Sequence, residues 1–244
     1  MKKYYELTAK IEPFDSFWEA PDDIESGYHR FYLYYKDNYL KYLPEDKNTK
    51  ILCVSCGPGY LVNMLTDMGY KDVLGIDSFP EKIEYTKKRK LNCHVAYAFD
   101  FIQECENNTY GLIFCEQELN HLTKDEILEF LILCKSKLKP GGDFICFALN
   151  GANPLTGAEA LAQNFDHYNT FTEYTMHQVL SHSGFENIRV LGLNLYVFYR
   201  NPFNYVAMFT AWLYSVFFRA SYILYGKKNK LFTKKIAAVC QKRN

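Results

Sequence analysis

The sequence has no excess of charge of either sign. Its 244 residues include 28 Lys and Arg and 28 Asp and Glu, so no overall positive field would attract a nucleic acid. It also contains no internal repeat and no low-complexity tract. The basic start, MKKYYELTAK, is not followed by an apolar stretch, so we expect no signal peptide and a cytoplasmic protein.

A second Cys-x-x-Cys pair is also missing. Cys53 and Cys56 have this spacing, but a structural zinc site needs four ligands, usually two such pairs or one pair with two histidines. Others among the eight cysteines, such as Cys115 and Cys146, lie in apolar runs, where free cysteine behaves as a small buried hydrophobe. We therefore expect no metal, free thiols and a reducing compartment. A redox role for the pair is the alternative.

Strand and helix patterns alternate from Ile51 onward. Such alternation predicts βαβ units and an α/β fold with a mostly parallel, Rossmann-like sheet of seven strands and helices on both faces. Thr123 with Glu126 forms a capping box, and Thr172 is a second N-cap. The predicted strands are 51–54, 72–77, 93–99, 110–115, 143–150, 185–198 and 234–242, and the predicted helices are 60–69, 80–90, 123–138 and 171–184.

Two further segments lie outside this alternation. Aromatic residues recur at helical spacing in 28–43, which predicts a helical cap. Residues 203–218 contain no charge, although a bilayer span needs about 20 apolar residues. This segment could be a helix packed on its own domain or a dimer mate, a membrane-surface helix with basic flanks, or a span. The resulting division is a cap (1–50), a core (51–200), an apolar helical insertion (201–231) and a last strand (232–244).

The turn after the first strand, ILCVSCGPGY, offers two glycine frames. A pyrophosphate loop needs G-x-G-x-x-G/A, and Val62 stands where its last small residue belongs. The frame G-x-G-x-G has Ser55, Gly57 and Gly59, which is the pattern of folds that bind S-adenosylmethionine (SAM). Asp77 ends the next strand, where a carboxylate can accept both ribose hydroxyls. A nicotinamide dehydrogenase is therefore the less favoured interpretation.

The order of motifs resembles that of class I SAM-dependent methyltransferases. The segments that carry the resemblance are ILCVSCGPGYL, VLGIDSFPEKIEYTKK, Asp100 after HVAYAF, YGLIFCEQELNHL, LKPGGDFICFALN and FTEYTMHQVLSHSGF. The segments YHRFYLYYKDNYLKYLP and FDHYNTFTE are similar to the subgroup encoded with bacterial surface-polysaccharide genes. The resemblance implies SAM as cofactor, S-adenosylhomocysteine as product and no metal.

The resemblance also implies which residues bind SAM. They are Arg30 for the methionine carboxylate, Ser55, Cys56, Gly57, Pro58 and Gly59 for the methionine moiety, Asp77 for the ribose, Ser78 and Phe79 near the adenine, Asp100 for the adenine amino group with Phe101 beside it, and Cys115 and Glu116 beside the sulfonium.

The sequence departs from this family in the loop. Cys53 stands where the family has an acid that organises the loop, and we expect Glu116 or Arg30 to replace it. Ser55 stands at the first glycine, which is tolerated if its φ is negative. Gly111 and Asn120 also replace acidic residues common in the family. These changes leave a non-catalytic SAM-fold protein, acting as a partner or scaffold, as one hypothesis.

Methyl transfer to a hydroxyl needs a base, and histidine is suited to that role at neutral pH. His121 and His167 are the candidates, with Asp166, Tyr32 and Tyr168 as substrate contacts. We predict O-methylation of a sugar or polar metabolite in surface-glycan assembly. The alternatives are a small amine and a membrane lipid such as a quinone precursor. Expected partners are the small-molecule or glycan acceptor, no nucleic acid, and a peripheral contact with the inner face of the membrane or a homodimer through 203–225.

Overall fold

The structure, a computed structural model, describes residues 21–116, 118–162, 167–194 and 202–243. Its strands are β1 (Ile51–Val54), β2 (Val73–Asp77), β3 (Cys93–Val95), β4 (Tyr110–Cys115), β5 (Leu138–Leu149), β6 (Phe185–Gly192) and β7 (Lys235–Lys242). They form one sheet in the order β3-β2-β1-β4-β5-β7-β6. Strands β1 to β5 are parallel, and β7 runs antiparallel to both β5 and β6. The predicted seven-stranded α/β fold is confirmed.

Helices cover both faces of this sheet. They are α1 (Pro21–Tyr39), α2 (Tyr60–Asp67), α3 (Pro80–Lys88), α4 (Ala98–Glu104), α5 (Lys124–Lys137), α6 (Gly157–Ala162), α7 (Glu173–His182) and α8 (Phe203–Leu224), with short 3-10 turns at Leu40–Tyr42 and Glu118–His121. The capping box of Thr123 with Glu126 is present at the start of α5, and Thr172 caps α7. Local capping signals therefore located these helix starts correctly.

The prediction placed the boundaries of three strands incorrectly. β3 ends at Val95, and α4 begins at Ala98. Residues 96 and 97 therefore connect the strand to the helix, and residues 98 and 99 belong to the helix. β5 begins at Leu138, because Lys139 to Gly142 continue the strand past a register shift against β4 instead of forming a turn. β6 ends at Gly192; of the strand predicted beyond it, residues 195–198 lie outside the described residues.

The parallel half of the sheet creates the crevice in which a ligand can bind. β1 lies between β2 and β4, so the chain leaves β1 and β4 in opposite directions, and a crevice forms at their carboxyl ends. Helix α1 covers one face next to it through Tyr35 and Tyr39, which are buried. The Tyr39 ring packs edge-on against Phe114 of β4, with 4.9 Å between centroids. The aromatic cap predicted before the core is therefore part of the hydrophobic core.

Helix α8, which joins β6 to β7, is exposed along most of its surface. Phe218 is its one buried side chain within the described residues, and its ring packs against Phe232. In length and composition it could cross a membrane. The helix therefore packs on its own domain along one stripe only, and its contact with a dimer mate or a membrane stays a prediction.

Candidate active site

The turn between β1 and α2 has the backbone of a glycine-rich ligand loop. Gly57 and Gly59 have φ values of +54° and +79°, in the left-handed region that glycine enters without a steric penalty. A Cβ built on Gly57 would meet nothing within 4 Å, whereas one on Gly59 would lie 3.0 Å from Thr86. Gly57 therefore leaves open space beside the loop, and Gly59 allows the loop to pack closely against α3 and the start of β3.

Ser55 also has the glycine conformation. Its φ is +55°, so the expectation that a serine is tolerated here through a negative φ is wrong. A non-glycine residue held in this region costs about 1 to 2 kcal/mol. The loop therefore keeps the shape of its family pattern although one of its glycines is missing.

The carboxylate of Asp77, at the end of β2, is bonded to the loop. One oxygen accepts a hydrogen bond from the Gly57 amide at 2.8 Å, and the other accepts from the Phe79 amide at 2.9 Å. Asp77 is buried, while Ser78 and Phe79 are half-buried. The residues predicted to surround ribose and adenine are thus brought together with the loop, and each carboxylate oxygen keeps a second lone pair.

Asp100 and Phe101 lie on a helix and not at a strand end. They belong to the first turns of α4, where Asp100 is exposed and Phe101 packs against the core. An acidic side chain in a first turn interacts favourably with the helix dipole. Their predicted contact with adenine stays a prediction.

Glu116 follows β4 on the same face of the sheet as Cys53. Cys53 is paired with Phe114, and Glu116 lies two residues further along, with its amide donating to the Val54 carbonyl at 3.1 Å. Its Oε1 atom is enclosed and has no hydrogen-bond partner among the described residues. Burial raises the pKa of Glu116 to about 7, and the Tyr35 hydroxyl and the Lys235 charge oppose that rise. Its neighbour Cys115 is buried opposite Val54.

Helix α1 contacts the loop through an aromatic group that the sequence did not reveal. The Tyr28 hydroxyl donates to the Pro58 carbonyl at 2.6 Å. Tyr60 stacks on Phe31 at 4.6 Å and donates to the Ile24 carbonyl at 3.1 Å. These contacts hold the loop and the start of α2 against α1.

Arg30 and Tyr32, two further residues predicted to belong to the site, also lie on α1. Arg30 is exposed, and its predicted contact with the methionine carboxylate stays a prediction. Tyr32 lines an open cavity of about 270 Å³ between α1, α2 and the end of α3, together with His29, Asn63 and Arg89. Tyr32 is therefore not brought together with the two histidines.

The two candidate bases are neighbours. The rings of His121 and His167 meet edge to face with 4.9 Å between centroids, although 45 residues separate them in the sequence. Asn120 joins their segments, since its backbone carbonyl accepts from the Tyr168 amide at 2.9 Å and its side chain donates to the Asn169 carbonyl at 2.7 Å. Tyr168 is exposed, and Asp166 lies outside the described residues.

Cys56 does not pair with Cys53. A Cβ on Gly75 would lie 2.8 Å from the Cys56 sulfur and 2.7 Å from the Cys93 sulfur, so these two thiols meet over a glycine of β2. All eight cysteines are free thiols, and seven of them are buried. Among the described residues, no group of three His, Cys, Asp or Glu side chains could hold a metal ion. The Cys-x-x-Cys spacing is therefore a coincidence of strand and loop packing.

Comparisons with known proteins agree with this geometry. Residues 51–142 match a family model described as a methyltransferase domain. Solved structures share the fold over nearly the whole chain. The chain has the class I methyltransferase fold. No curated protein matches the sequence significantly.

Three solved structures illustrate this likeness. A SAM-dependent methyltransferase from Archaeoglobus fulgidus is 17% identical with a TM-score of 0.62, over 98% of this chain and 100% of that one. A chain of the Haloferax volcanii complex between the Trm112 activator and a putative methyltransferase is 12% identical with a TM-score of 0.68, over 96% and 100%. Haemonchus contortus phosphoethanolamine N-methyltransferase 2 with SAM is 14% identical with a TM-score of 0.56, over 96% and 61%.

SAM is the cofactor that this methyltransferase domain indicates, and the loop fits it. The open space at Gly57, the carboxylate of Asp77 and the enclosed Oε1 of Glu116 lie around one crevice. SAM carries an ammonium and a sulfonium charge, so a carboxylate with one enclosed oxygen that has no partner suits it.

Proposed function

We propose that this chain transfers a methyl group from SAM to a hydroxyl group of a small polar acceptor. The contact between His121 and His167, beside the carboxyl end of β4, carries the proposal. When bound, SAM supplies a methyl group that is already activated by its sulfonium. The chain must therefore align the acceptor and remove its proton.

In this proposal His167 acts as the base. Its Nδ1 lies 2.8 Å from the Ala160 carbonyl oxygen, and a carbonyl can only accept, so Nδ1 carries the proton. The neutral imidazole then presents its basic lone pair on Nε2. His121 packs against this ring and positions it, or accepts the proton in its place.

We further propose that Glu116 performs the role of the acid that Cys53 lacks. Both residues are on one sheet face, and burial first, then the charge of Glu116, raises the pKa of the Cys53 thiol. An acid at position 53 of β1 would approach the loop from the same side as Glu116, which lies two residues past Phe114 of β4. Ser55, Cys56, Pro58, Asp77 and the predicted adenine contacts complete the cofactor site of this proposal.

For the acceptor we propose a sugar or another polar metabolite of surface-glycan assembly. The support is the resemblance of 28–44 and 165–173 to that subgroup. The alternative is an amine, as in the phosphoethanolamine N-methyltransferase that shares the fold, or a lipid such as a quinone precursor. A non-catalytic SAM-fold protein is the remaining alternative.

Calorimetry with SAM and S-adenosylhomocysteine tests the cofactor first. Absence of binding at millimolar ligand contradicts the enzyme proposal and leaves the scaffold interpretation. Methyl-labelled SAM with a panel of nucleotide sugars and small amines then identifies the acceptor class.

The variants H167Q and H121Q test the base. For a hydroxyl acceptor we expect kcat to fall about 100- to 10,000-fold in H167Q, because a positioned base contributes that much, while the SAM Kd stays unchanged. H94Q, on the exposed edge of β3, is the control and should retain full activity. An amine acceptor attacks as its free base, so a rate that survives both variants would favour the amine.

A further inference from the structure

We infer that α8 binds the surface of an anionic lipid membrane and lies in the plane of that surface without crossing it. This inference does not rest on the proposed methyl transfer, because α8 contributes no residue to the crevice described above. It rests on the polarity of the helix, on the distribution of charge along the chain, and on the two strands that α8 connects.

The polarity of α8 differs from that of a helix packed on a soluble domain, because its exposed side is more apolar than the side that faces the body. The side that faces the body is mixed, and its buried or half-buried residues are Asn204, Ala207, Met208, Ser215, Phe218, Ser221 and Tyr222. The Tyr222 hydroxyl even donates to the Ala152 carbonyl at 3.3 Å. The opposite face is exposed and apolar apart from Thr210, whose hydroxyl donates to the Val206 carbonyl. Its residues Val206, Phe209, Leu213, Val216, Phe217 and Leu224 are each at least 48% exposed.

This face is too extensive to be an incidental apolar patch. The helix has 22 residues, which corresponds to about 33 Å at 1.5 Å per residue. Contiguous exposed apolar surface of this size on a soluble protein marks a site for a protein partner or a membrane. Exposed Trp212, Tyr205, Tyr214 and Tyr225 add rings that prefer the boundary between hydrocarbon and water.

The charge distribution favours lipid over a second copy of the chain. The chain is neutral as a whole, yet every acidic residue lies at or before Glu186, whereas ten of its lysines and arginines follow that position. Lys227, Lys228 and Lys230 lie just beyond the end of α8 and are exposed. A symmetric dimer that pairs α8 with itself gives this basic region no acidic partner, because α8 and the residues after it contain no Asp or Glu, whereas an anionic membrane surface attracts it.

The sheet excludes a membrane-spanning arrangement. α8 connects β6 to β7, and these two strands are antiparallel neighbours in one sheet. A helix that crosses the bilayer places its two ends on opposite sides, and a return through hydrocarbon would leave backbone groups without hydrogen bonds. Because β6 and β7 stay paired, both ends of α8 remain on the same side.

The docked helix would hold the carboxyl edge of the sheet close to the lipid surface. Asn150, directly after β5, donates to the carbonyls of Leu231 and Thr233, and Asn153 donates to the carbonyl of Phe232. Glu173 at the start of α7 accepts from the Lys230 and Leu231 amides. The segment that follows α8 is therefore fixed to the edge at which the crevice opens.

Flotation of the full chain with lipid vesicles tests the inference. We expect binding to vesicles of phosphatidylcholine with phosphatidylglycerol, and binding at least about 10-fold weaker to phosphatidylcholine alone. The double variant F209E/L213E should lose binding to both, since it places charge in the apolar layer. The triple variant K227Q/K228Q/K230Q should lose on the order of 100-fold for the anionic vesicles only.

The matched control is I132E. Ile132 is a half-exposed apolar residue of α5, so this variant places one new carboxylate on another helix and should float like the parent. Thermal melting by circular dichroism checks that each variant is folded. Equal flotation of parent and F209E/L213E, or no flotation of the parent, overturns the inference. Dimer formation through α8 without vesicle binding, seen by sedimentation, overturns it as well.

The depth of Trp212 distinguishes an in-plane helix from a spanning one. Trp212 lies near the middle of α8, and Trp18 is the other tryptophan, so the W18F variant reports on Trp212 alone. We expect lipids brominated near the headgroup to quench its fluorescence more strongly than lipids brominated near the chain end. The reverse order would place the middle of α8 at the bilayer centre and would contradict the in-plane arrangement.

Discussion

The ends of β2 and β4 both present an acid to the glycine loop, but the two acids differ in what surrounds them. Asp77 accepts hydrogen bonds from the amides of Gly57 and Phe79. Glu116 has an enclosed oxygen without a partner among the described residues, and its pKa is raised to about 7 by burial. Both oxygens of the first carboxylate accept hydrogen bonds from the protein, whereas the second carboxylate has the Tyr35 hydroxyl and the Lys235 charge nearby but keeps one enclosed oxygen without a partner.

This difference distinguishes a structural acid from one that is suited to a ligand. A buried carboxylate that receives backbone hydrogen bonds stabilises the fold that supplies them. A buried carboxylate without a partner destabilises the fold when ionised, and it recovers that free energy when a cation binds. Substitutions at the two positions should therefore change the free energy of unfolding in opposite directions.

Replacing Asp77 should produce the largest effect. We expect D77A to lower the free energy of unfolding by about 2 to 4 kcal/mol, because two amides lose a charged acceptor. The SAM Kd should rise on the order of 10- to 100-fold. Urea denaturation and calorimetry measure the two changes.

Asp67 supplies the control for that experiment. It is exposed on α2 and accepts from the Asn63 side chain at 2.9 Å, so D67A should change stability by less than about 0.5 kcal/mol. If D77A binds SAM as tightly as the parent, the predicted role of Asp77 at the ribose is wrong.

Replacing Glu116 should remove a dependence of stability on pH. The pKa of this carboxyl is raised from 4.5 to about 7 in the folded state, so the folded protein binds the proton more tightly than the unfolded chain. The free energy of unfolding therefore falls as pH rises from about 4.5 to about 7, by about 1 to 3 kcal/mol. E116Q should lack this decrease.

Removing the Glu116 charge should weaken the binding of SAM, although it stabilises the folded protein at neutral pH. We expect SAM to bind the parent more tightly above about pH 7, where Glu116 is ionised, and E116Q to bind weakly at every pH. E104Q, at the exposed end of α4, should behave like the parent. The double variant C53D/E116Q should recover affinity if the acid has moved from β1 to β4; no recovery would contradict that replacement.

Ser55, between the two acids, should give the smallest effect. S55G should raise the free energy of unfolding by about 1 kcal/mol, because glycine adopts a φ of +55° without the penalty that a Cβ imposes. S55A keeps the Cβ and should give no gain. A loss of stability in S55G would mean that the serine hydroxyl contributes more than the backbone conformation costs.

Local signals in the sequence located the helices and the loop but not the neighbours across the crevice. The capping residues Thr123 and Thr172 and the two glycines have short-range effects, so they could be recognised directly. The third strand was predicted too long because residues 93–99 alternate between apolar and polar side chains. That pattern fits a strand along its whole length, and it does not show that a helix begins at Ala98. Tyr28 was missed because its partner, the Pro58 carbonyl, carries no sequence signal.

By itself, the sequence determined the class of fold and the position of the glycine loop, since both depend on residue types at short, fixed spacing. Only the tertiary structure decided that Glu116 lies on the face of Cys53, that His121 meets His167, and that the apolar face of α8 points outward. Those facts depend on which strands are neighbours and on which side of a helix meets the sheet. Contacts between residues distant in sequence are set by packing of the whole chain, which no local pattern encodes.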